Sequence, residues 1–415
     1  MDLRESVSSS VLSSTPTLKS TDRAEHELLL CCVRPQVDSH VSDRIRSLVA
    51  QDLDWEYLFL LARRHSVVAL LYYRLQETAA EIVPAQPFQR LQKYFQDNAA
   101  RNVIFNAELS RLLAMLGENG IEAIPYKGPV LGLFAYNNLA LRRFVDLDVM
   151  VKREDAAKSI DLLLADGYEV SKSINLSQRK VLLQTQHNLQ LHRSNRQLIV
   201  ELHWEVASQL FVSSVQADDL WGGLVPIEIN GVQSKTLSTE DLLFSLSVHA
   251  LRHVWEKLLW ICDLAWIISR YDLDWSILLQ RARSTKIERN FLLGLQLCRR
   301  LLGVALPDHV VQQIERDSSI DKLADVVIEF LLSGTEHIPA SSLQHLKFNL
   351  LVRPSWPARA RYFRHILNPT DGDLTAVSLP GSLSFGYYLM RPFRLLFKTG
   401  GQIQKVLFHG KNGDQ

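Results

Sequence analysis

Two acidic residues, Asp146 and Asp148, lie two positions apart in a segment, 144–150, that otherwise has the residues of a buried β-strand. Alternate residues of a strand point to the same face, so the two carboxylates would share one face while Leu147 and Val149 point into the core. Ionised carboxylates this close repel each other in a partly dehydrated site. A divalent cation removes the conflict, and Mg²⁺ commonly binds one or two carboxylates together with substrate phosphates.

A third acid lies in a later strand-like segment, "LIVELHWEV", at residues 198–206. Alternation there places Ile199, Glu201 and His203 on one face and apolar residues on the other. If this strand pairs beside the first, Glu201 joins the two aspartates. Three carboxylates can hold two metal ions for an in-line displacement at phosphorus.

Lys127 and Gly128 end a short strand-like segment and precede Pro129, a residue favoured at the first position of a helix. A glycine lets the backbone approach a ligand closely, and a helix N-terminus offers free N–H groups to a phosphate. Lys127 adds a positive charge there. These residues are therefore candidates for binding a phosphate group.

Several histidines have both a functional and a structural interpretation. His187 and His203 lie near the proposed site in sequence, where each could contact a substrate, orient a carboxylate or simply be packed and hydrogen-bonded. His249 and His253 have the spacing of a helical metal pair, but the sequence offers no evident third ligand.

Other unusual residues occur in the apolar region after residue 238. Trp255, Trp260 and Trp266 recur at near-helical spacing, which favours core packing. Asp263 lies within the same apolar stretch, and the sequence leaves open whether it contacts a substrate or forms a buried ion pair.

The spacing of apolar residues divides the chain into helical and mixed regions. It has a helical period before and after a central part in which short helices and strands alternate, and it runs without interruption through 239–271. This order predicts an α+β fold with a small mixed sheet. The predicted regions are a disordered tail, 1–22; an N-terminal helical region, 23–117; a mixed core, 118–235; a C-terminal helical domain, 236–350; and a basic aromatic segment, 351–415.

The composition is that of an ordinary globular protein, with 47% hydrophobic and 22% charged residues. A formal net charge of +1 provides no global field for nucleic acid or membrane. The four cysteines lack a C-x-x-C spacing, which argues against a zinc site or a disulfide framework and favours a reducing cytoplasm. We therefore expect a cytoplasmic protein without sequence-specific nucleic-acid binding.

The charge is uneven, because residues 341–415 carry ten Lys/Arg against three Asp/Glu. Aromatic and apolar residues alternate with basic ones near the end of the chain. Such a segment either lies on an anionic membrane surface as a peripheral contact or packs as an amphipathic helix on the protein itself. The residues concerned are Tyr387, Tyr388, Arg391, Phe393, Arg394, Leu396, Phe397 and Lys398.

The central segments together resemble a known family. The stretches "IPYKGPVLGLFAYNN", "LRRFVDLDVMVKREDAAKSIDLLLADGYE", "HNLQLHR" and "VELHWEV", within 118–206, are similar to the bacterial uncharacterised nucleotidyltransferase family of the polymerase-β-like superfamily. The helical segments "HALRHVWEKLLWICDLAWII" and "YYLMRPFRLLFK" also resemble that family.

The resemblance implies an enzyme that transfers a nucleoside monophosphate from an NTP, ATP by expectation, to an acceptor hydroxyl on a small molecule, a glycan intermediate or a protein. It implies that Asp146, Asp148 and Glu201 bind two Mg²⁺ ions and the triphosphate, and that Glu201 helps to activate the acceptor. Lys127-Gly128 and Arg142 match the family positions that face the nucleotide phosphates.

Two alternatives stay open. An Asp-x-Asp pair also holds Mn²⁺ and a sugar nucleotide in glycosyltransferases, although these place an α/β half before the motif and this chain has helices there. The other alternative is a non-catalytic nucleotide-binding or partner-binding module, since the Gly-Ser turn usual in the superfamily about ten residues before the acids is missing.

Overall fold

The computed structural model describes residues 23–170, 176–193, 198–205, 217–333, 343–367 and 386–391. The helices are α1 Ala24–Cys32, α2 Ser39–Val49, α3 Trp55–Arg64, α4 Val68–Thr78, α5 Ala85–Glu118, α6 Pro129–Phe134, α7 Ala156–Ala165, α8 Leu176–Thr185, α9 Ala217–Gly222, α10 Thr239–Arg252, α11 Leu258–Arg270, α12 Trp275–Ser284, α13 Glu288–Leu302, α14 Asp308–Arg316, α15 Ser319–Leu332, α16 Leu343–Leu351 and α17 Trp356–Ile366. The strands are β1 Ala123–Pro125, β2 Leu147–Val151, β3 Glu169–Val170, β4 Asn188–Arg193, β5 Leu198–His203, β6 Val225–Ile229 and β7 Val232–Thr236.

Several helices begin at a residue that caps their first turn. The side chains of Asp38, Asp54, Ser238 and Asp274 each accept a hydrogen bond from a backbone N–H three residues later. Such a cap satisfies one of the N–H groups that have no partner within the helix. Helix α13 ends at its C-terminus with Gly303, which adopts a left-handed conformation.

Five strands form a mixed sheet in the order β1-β2-β5-β4-β3. β2 and β5 are parallel, and the other neighbours are antiparallel. The predicted α+β fold is therefore confirmed, with helices before and after the sheet. The predicted apolar face of β2 and β5 is also confirmed, because Leu147, Val149, Val200 and Leu202 are buried.

Three local features differ from the pattern in the sequence. β2 begins at Leu147, so Asp146 lies just before the strand. The helical period through 239–271 is interrupted by a turn at 253–257 between α10 and α11. The hairpin β6–β7 was not predicted, although its Asn230-Gly231 turn, with φ of 49° and 81°, is a strong hairpin signal.

Buried side chains form two clusters. The larger one joins helices from both ends of the chain, including Leu28 of α1 and Leu297 of α13. The smaller one lies between the sheet, α5 and α7 and includes Trp204 and Tyr387. The two helical regions therefore share one core. The boundaries given above for the regions stay a prediction.

The predicted basic aromatic segment is described only in part. Tyr387 is buried, whereas Tyr388 is exposed. Phe393, Arg394, Leu396, Phe397 and Lys398 lie outside the described residues, so the membrane contact stays a prediction. Within the described part of the chain, no helix combines the length and apolar character needed to cross a membrane. All four cysteines are buried and unpaired.

Candidate metal centre

The pairing of β2 with β5 brings two of the predicted acids together. Asp148 lies directly opposite Glu201 in the parallel register, so both side chains are on the same face of the sheet. His203 follows two residues after Glu201 on that face. One potential ligand atom from each of Asp148, Glu201 and His203 lies within 4.8 Å of the other two. These atoms form a cluster of a size that suits a metal ion.

Asp148 is the best-compensated acid of the site. Its Oδ1 accepts a hydrogen bond from Lys127 Nζ at 2.8 Å, and His203 Nε2 lies 3.0 Å from the same oxygen. All three side chains are buried. Burial alone would raise the pKa of Asp148, but the charges of Lys127 and the hydrogen bond with His203 hold that pKa well below its usual range.

Glu201 has two partners on the sheet. Asn188 of β4 donates a hydrogen bond to Glu201 Oε1, and His203 Nε2 lies 3.3 Å from Oε2. Burial opposes ionisation of Glu201, yet the neighbouring His203 lowers its pKa. In turn, burial disfavours a charged His203, while Glu201 and Asp148 raise its pKa. The carboxylate of Glu201 is thus ionised and held in place.

Asp146 has a different electrostatic position. Burial and the charges of Asp148 and Glu201 raise its pKa to about 7. It therefore lies within the field of the other two acids, although it is outside the cluster of atoms that approach within 4.8 Å. Both aspartates are fully ionised at neutral pH only when an additional cation is present.

Gly128 fixes the path of the backbone beside Asp146. It has a φ of 50°, a conformation that side chains disfavour, and a Cβ at this position would lie 3.2 Å from the carbonyl oxygen of Asp146. The six-residue helix α6 starts at the next residue, as the proline predicted. The Lys127-Gly128 pair thus adjoins both aspartates.

Arg142 and Asp263 bind each other. The Arg142 guanidinium donates two hydrogen bonds of 2.9 Å to the two carboxylate oxygens of Asp263 in α11, and Tyr136 OH donates a third at 2.8 Å. All three residues are buried. Asp263 therefore forms a buried ion pair, one of the two roles that the sequence left open for it. The pair connects the loop before β2 to helix α11.

His187 connects the site to α10. Arg252 Nη1 lies 2.8 Å from His187 Nε2, and the His187 ring centroid is 6.4 Å from that of His203. His249 in α10 and His253 at its C-terminal end contact each other. The rings of His249 and His253 are 4.8 Å apart and both contact Trp260. Among the described residues, the metal-ligand cluster is therefore at Asp148, Glu201 and His203.

The sequence did not single out Asn188 and Arg252, although both contact predicted site residues. Asn188 lies two residues from Gln190, the direct partner of Glu201 in β4, and so is its diagonal neighbour across the sheet. Only the register of the strands identifies it. Arg252 contacts His187 across 65 residues, and the sequence has no local signal for that contact.

The donor set fits a cation. Two ionised carboxylates and a histidine converge on one buried position, and a third carboxyl nearby is held partly protonated by their charge. Oxygen and imidazole ligands of this kind are used by several divalent metals. An α+β protein with a buried carboxylate–histidine cluster on its central sheet is thus the class that fold and site define.

The family model described as uncharacterised nucleotidyltransferase matches residues 51–303, which is more than half of the chain. The chain therefore belongs to this family. The match covers α3 to α13 and so includes the sheet and the cluster. No curated protein and no solved structure is significantly similar to the chain.

Proposed function

We propose that the protein is a metal-dependent nucleotidyltransferase that moves a nucleoside monophosphate from an NTP to an acceptor hydroxyl. The acceptor belongs to a small molecule, a glycan intermediate or a protein. The observation that carries this proposal is the register of Asp148 against Glu201 on parallel strands, with Asp146 two residues earlier. Family membership supports the same reaction class.

In this proposal, Asp146, Asp148 and Glu201 hold Mg²⁺, with two ions expected. The bound metal would neutralise charge on the phosphates and on the attacking oxygen. Lys127 has a positive charge at the same position, so it can contact a phosphate oxygen near Asp148. His203 contacts the carboxylates of Asp148 and Glu201 and restricts their orientations.

The reaction is a displacement at the α-phosphorus. The acceptor oxygen forms a new bond to that phosphorus while the bond to the bridging oxygen of the β-phosphate breaks, and pyrophosphate leaves with the electron pair. The proton of the acceptor hydroxyl passes to Glu201. This carboxylate can take that proton because the contact with His203 keeps it ionised.

A single substitution tests the site. Asp148→Asn removes a negative charge but preserves the shape of the side chain, and we expect transfer from an NTP labelled at the α-phosphate to fall at least a hundredfold. The assay uses Mg²⁺, each of the four NTPs and a mixed extract as the acceptor source. Asp161→Asn changes a largely exposed aspartate that pairs with Arg179, and as the matched control it should leave transfer unchanged. Full transfer by Asp148→Asn would contradict the proposal.

A second candidate is nucleotide binding without transfer. The observation in its favour is the Lys127–Asp148 bond, because a cation belonging to the protein already compensates the central carboxylate. Calorimetry with Mg²⁺ and each NTP, followed by the transfer assay, separates the two candidates. Binding without pyrophosphate release from any NTP would favour this second function.

A further inference from the structure

Three aromatic rings meet at the junction of α10 and α11. The centroid of the Trp260 ring lies 5.3 Å from that of His249 and 5.2 Å from that of His253, and the two histidine rings are 4.8 Å apart. Each of the three side chains is only partly buried. We call these residues the ring cluster. It therefore presents aromatic surface to solvent.

The ring cluster lies beside the carboxylates. Arg252, the residue before His253, contacts His187, which in turn neighbours His203 of the metal centre. Burial and the charge of Lys127 lower the pKa of His249, while the charge of Asp148 opposes this shift. Lys127 and Glu201 similarly act on His253. Arg252 and His187 thus lie between the ring cluster and the metal centre.

A strained turn sets the position of Trp260. Val254 and Trp255 have consecutive positive φ values of 46° and 58°, which are unfavourable for any side chain and especially for a β-branched one. Such strain persists only where the surroundings enforce it, and it is concentrated at functional sites. Here it reverses the chain, so that α11 brings Trp260 against the two histidines of α10.

Contacts of the Trp255 side chain stabilise this turn. Its buried indole donates a hydrogen bond of 3.0 Å to Asn290, and its ring fills the space left by Gly294. A Cβ on Gly294 would lie 2.5 Å from the Trp255 ring. The conformation of the turn therefore depends on the contacts of Trp255 with α13.

The ring cluster is uncharged at neutral pH, although basic groups surround it. Burial and the neighbouring positive charges lower the pKa of His249 well below its ordinary value, and that of His253 to about 3. Lys257 Nζ lies 6.0 Å from the centroid of the Trp260 ring, and Arg252 directly precedes His253. Neutral rings in a basic surrounding suit a planar base that is joined to an anionic chain.

We propose that the ring cluster of His249, His253 and Trp260 binds the nucleobase of the NTP by stacking, while the phosphates extend toward Lys127 and the carboxylates. This assignment rests on the proposed function, since it names the base-binding part of the same site. Stacking on a ring accepts every base, so this surface contributes to affinity more than to the choice among bases.

The test compares a ligand that has a base with one that lacks it. Binding of each of the four NTPs and of inorganic tripolyphosphate, all with Mg²⁺, is measured by calorimetry on the full chain. We expect Trp260→Ala to weaken binding of the NTPs by roughly five- to 150-fold, the effect of losing one base–aromatic stack. Tripolyphosphate should bind this variant as it binds the wild type, which also shows that the variant is folded.

Two further variants sharpen the comparison. Trp260→Phe keeps a ring and should retain most of the affinity for NTPs. Trp356→Ala removes a tryptophan that is 77% exposed in α17 and should change nothing. If the wild type binds NTPs and Trp260→Ala binds them equally well, the ring cluster is not the base site, and the proposed function is unaffected. If the wild type binds neither NTP nor tripolyphosphate, both proposals fail.

Discussion

At the scale of single residues, Lys127 is the cation bonded to the central acid of the site. Asp146, Asp148 and Glu201 place three carboxyl groups in one region of the sheet, and the Lys127 ammonium is bonded to the middle one. Burying a charge costs several kcal/mol unless a partner compensates it. Lys127 therefore stabilises the apoprotein as well as being available to a phosphate.

Replacing Lys127 by methionine removes this compensation. We expect Lys127→Met to lower the free energy of unfolding by about 3–5 kcal/mol in the absence of metal, because the buried Asp148 charge loses its partner. Added Mg²⁺ should raise the melting temperature of this variant more than that of the wild type, since the ion restores a positive charge beside the acids. Urea unfolding and thermal melts with and without Mg²⁺ measure both effects.

Lys152→Met is the matched control. Lys152 is partly exposed, and its ammonium lies 3.8 Å from Glu122. An exposed pair of this kind contributes at most about 1 kcal/mol. Equal Mg²⁺ responses for Lys127→Met and the wild type would show that no cation replaces the lysine at Asp148.

At the scale of elements, the loop before β2 is fastened from two sides. From α5, Asn102 donates hydrogen bonds to the carbonyl oxygens of Leu139 and Arg142, and Arg101 donates one to that of Phe144. From α11, Asp263 binds the side chain of Arg142. The position of Asp146 therefore depends on two helices that are far apart in sequence.

The Arg142–Asp263 pair can be tested as a unit. Arg142→Met should lower the free energy of unfolding by about 3–5 kcal/mol, because it leaves the Asp263 carboxylate buried without its ionic partner. The double variant Arg142→Met, Asp263→Leu should recover much of that loss, since no isolated charge then remains. A double-mutant cycle measured by urea unfolding gives the coupling energy.

The pair between Arg300 and the largely exposed Asp325 provides the comparison for this cycle. Its nitrogen and oxygen atoms are 2.8 Å apart, yet we expect a coupling below about 1 kcal/mol because solvent screens the charges. If the double variant of Arg142 and Asp263 is as unstable as the two single losses added together, the two residues are not coupled and the account of the loop is wrong.

At the scale of the whole molecule, His65 joins the helical regions before and after the sheet. Its buried ring donates from Nε2 to the carbonyl oxygen of Leu331 at 2.8 Å, and its Nδ1 accepts a hydrogen bond from the Leu258 N–H at 3.2 Å. The bond from the Leu258 N–H needs a neutral imidazole, because a protonated ring has no acceptor atom. Burial and the charge of Arg64 lower the pKa of His65 to about 3.

This shift makes stability depend on pH with a definite sign. The unfolded chain protonates His65 near its ordinary value of about 6.5, whereas the folded chain does so only near 3. The contribution of neutral His65 to the free energy of unfolding is thus complete above pH 6.5, the pKa in the unfolded chain. It is lost as the pH falls toward about 3, the pKa in the folded chain. Between pH 7 and pH 5 the loss is roughly 2 kcal/mol.

Urea unfolding at these two pH values measures the effect. The decrease in unfolding free energy from pH 7 to pH 5 should be smaller in His65→Gln than in the wild type by roughly 2 kcal/mol. His40→Gln changes an exposed histidine and should leave the decrease as it is in the wild type. The same decrease in all three proteins would show that His65 does not link folding to protonation.

The sequence determined a good part of this arrangement. The alternation around Asp148 and Glu201 predicted two strands and their buried faces, because period-two burial is encoded in neighbouring residues. The α+β order of helices and strands followed in the same way. The Asn230-Gly231 hairpin was equally local and could have been predicted from its turn.

Only the tertiary structure decided which of these residues meet. The register of β2 against β5, the Lys127–Asp148 bond across 21 residues and the Arg142–Asp263 pair across 121 residues all depend on contacts between distant segments. The turn that brings Trp260 to His249 and His253 depends on the packing of Trp255 over Gly294, against the helical pattern of its own segment. A short segment of sequence indicates which residues are candidates for the site. It does not contain their partners, because these lie in distant segments that only the packing of the whole chain brings together.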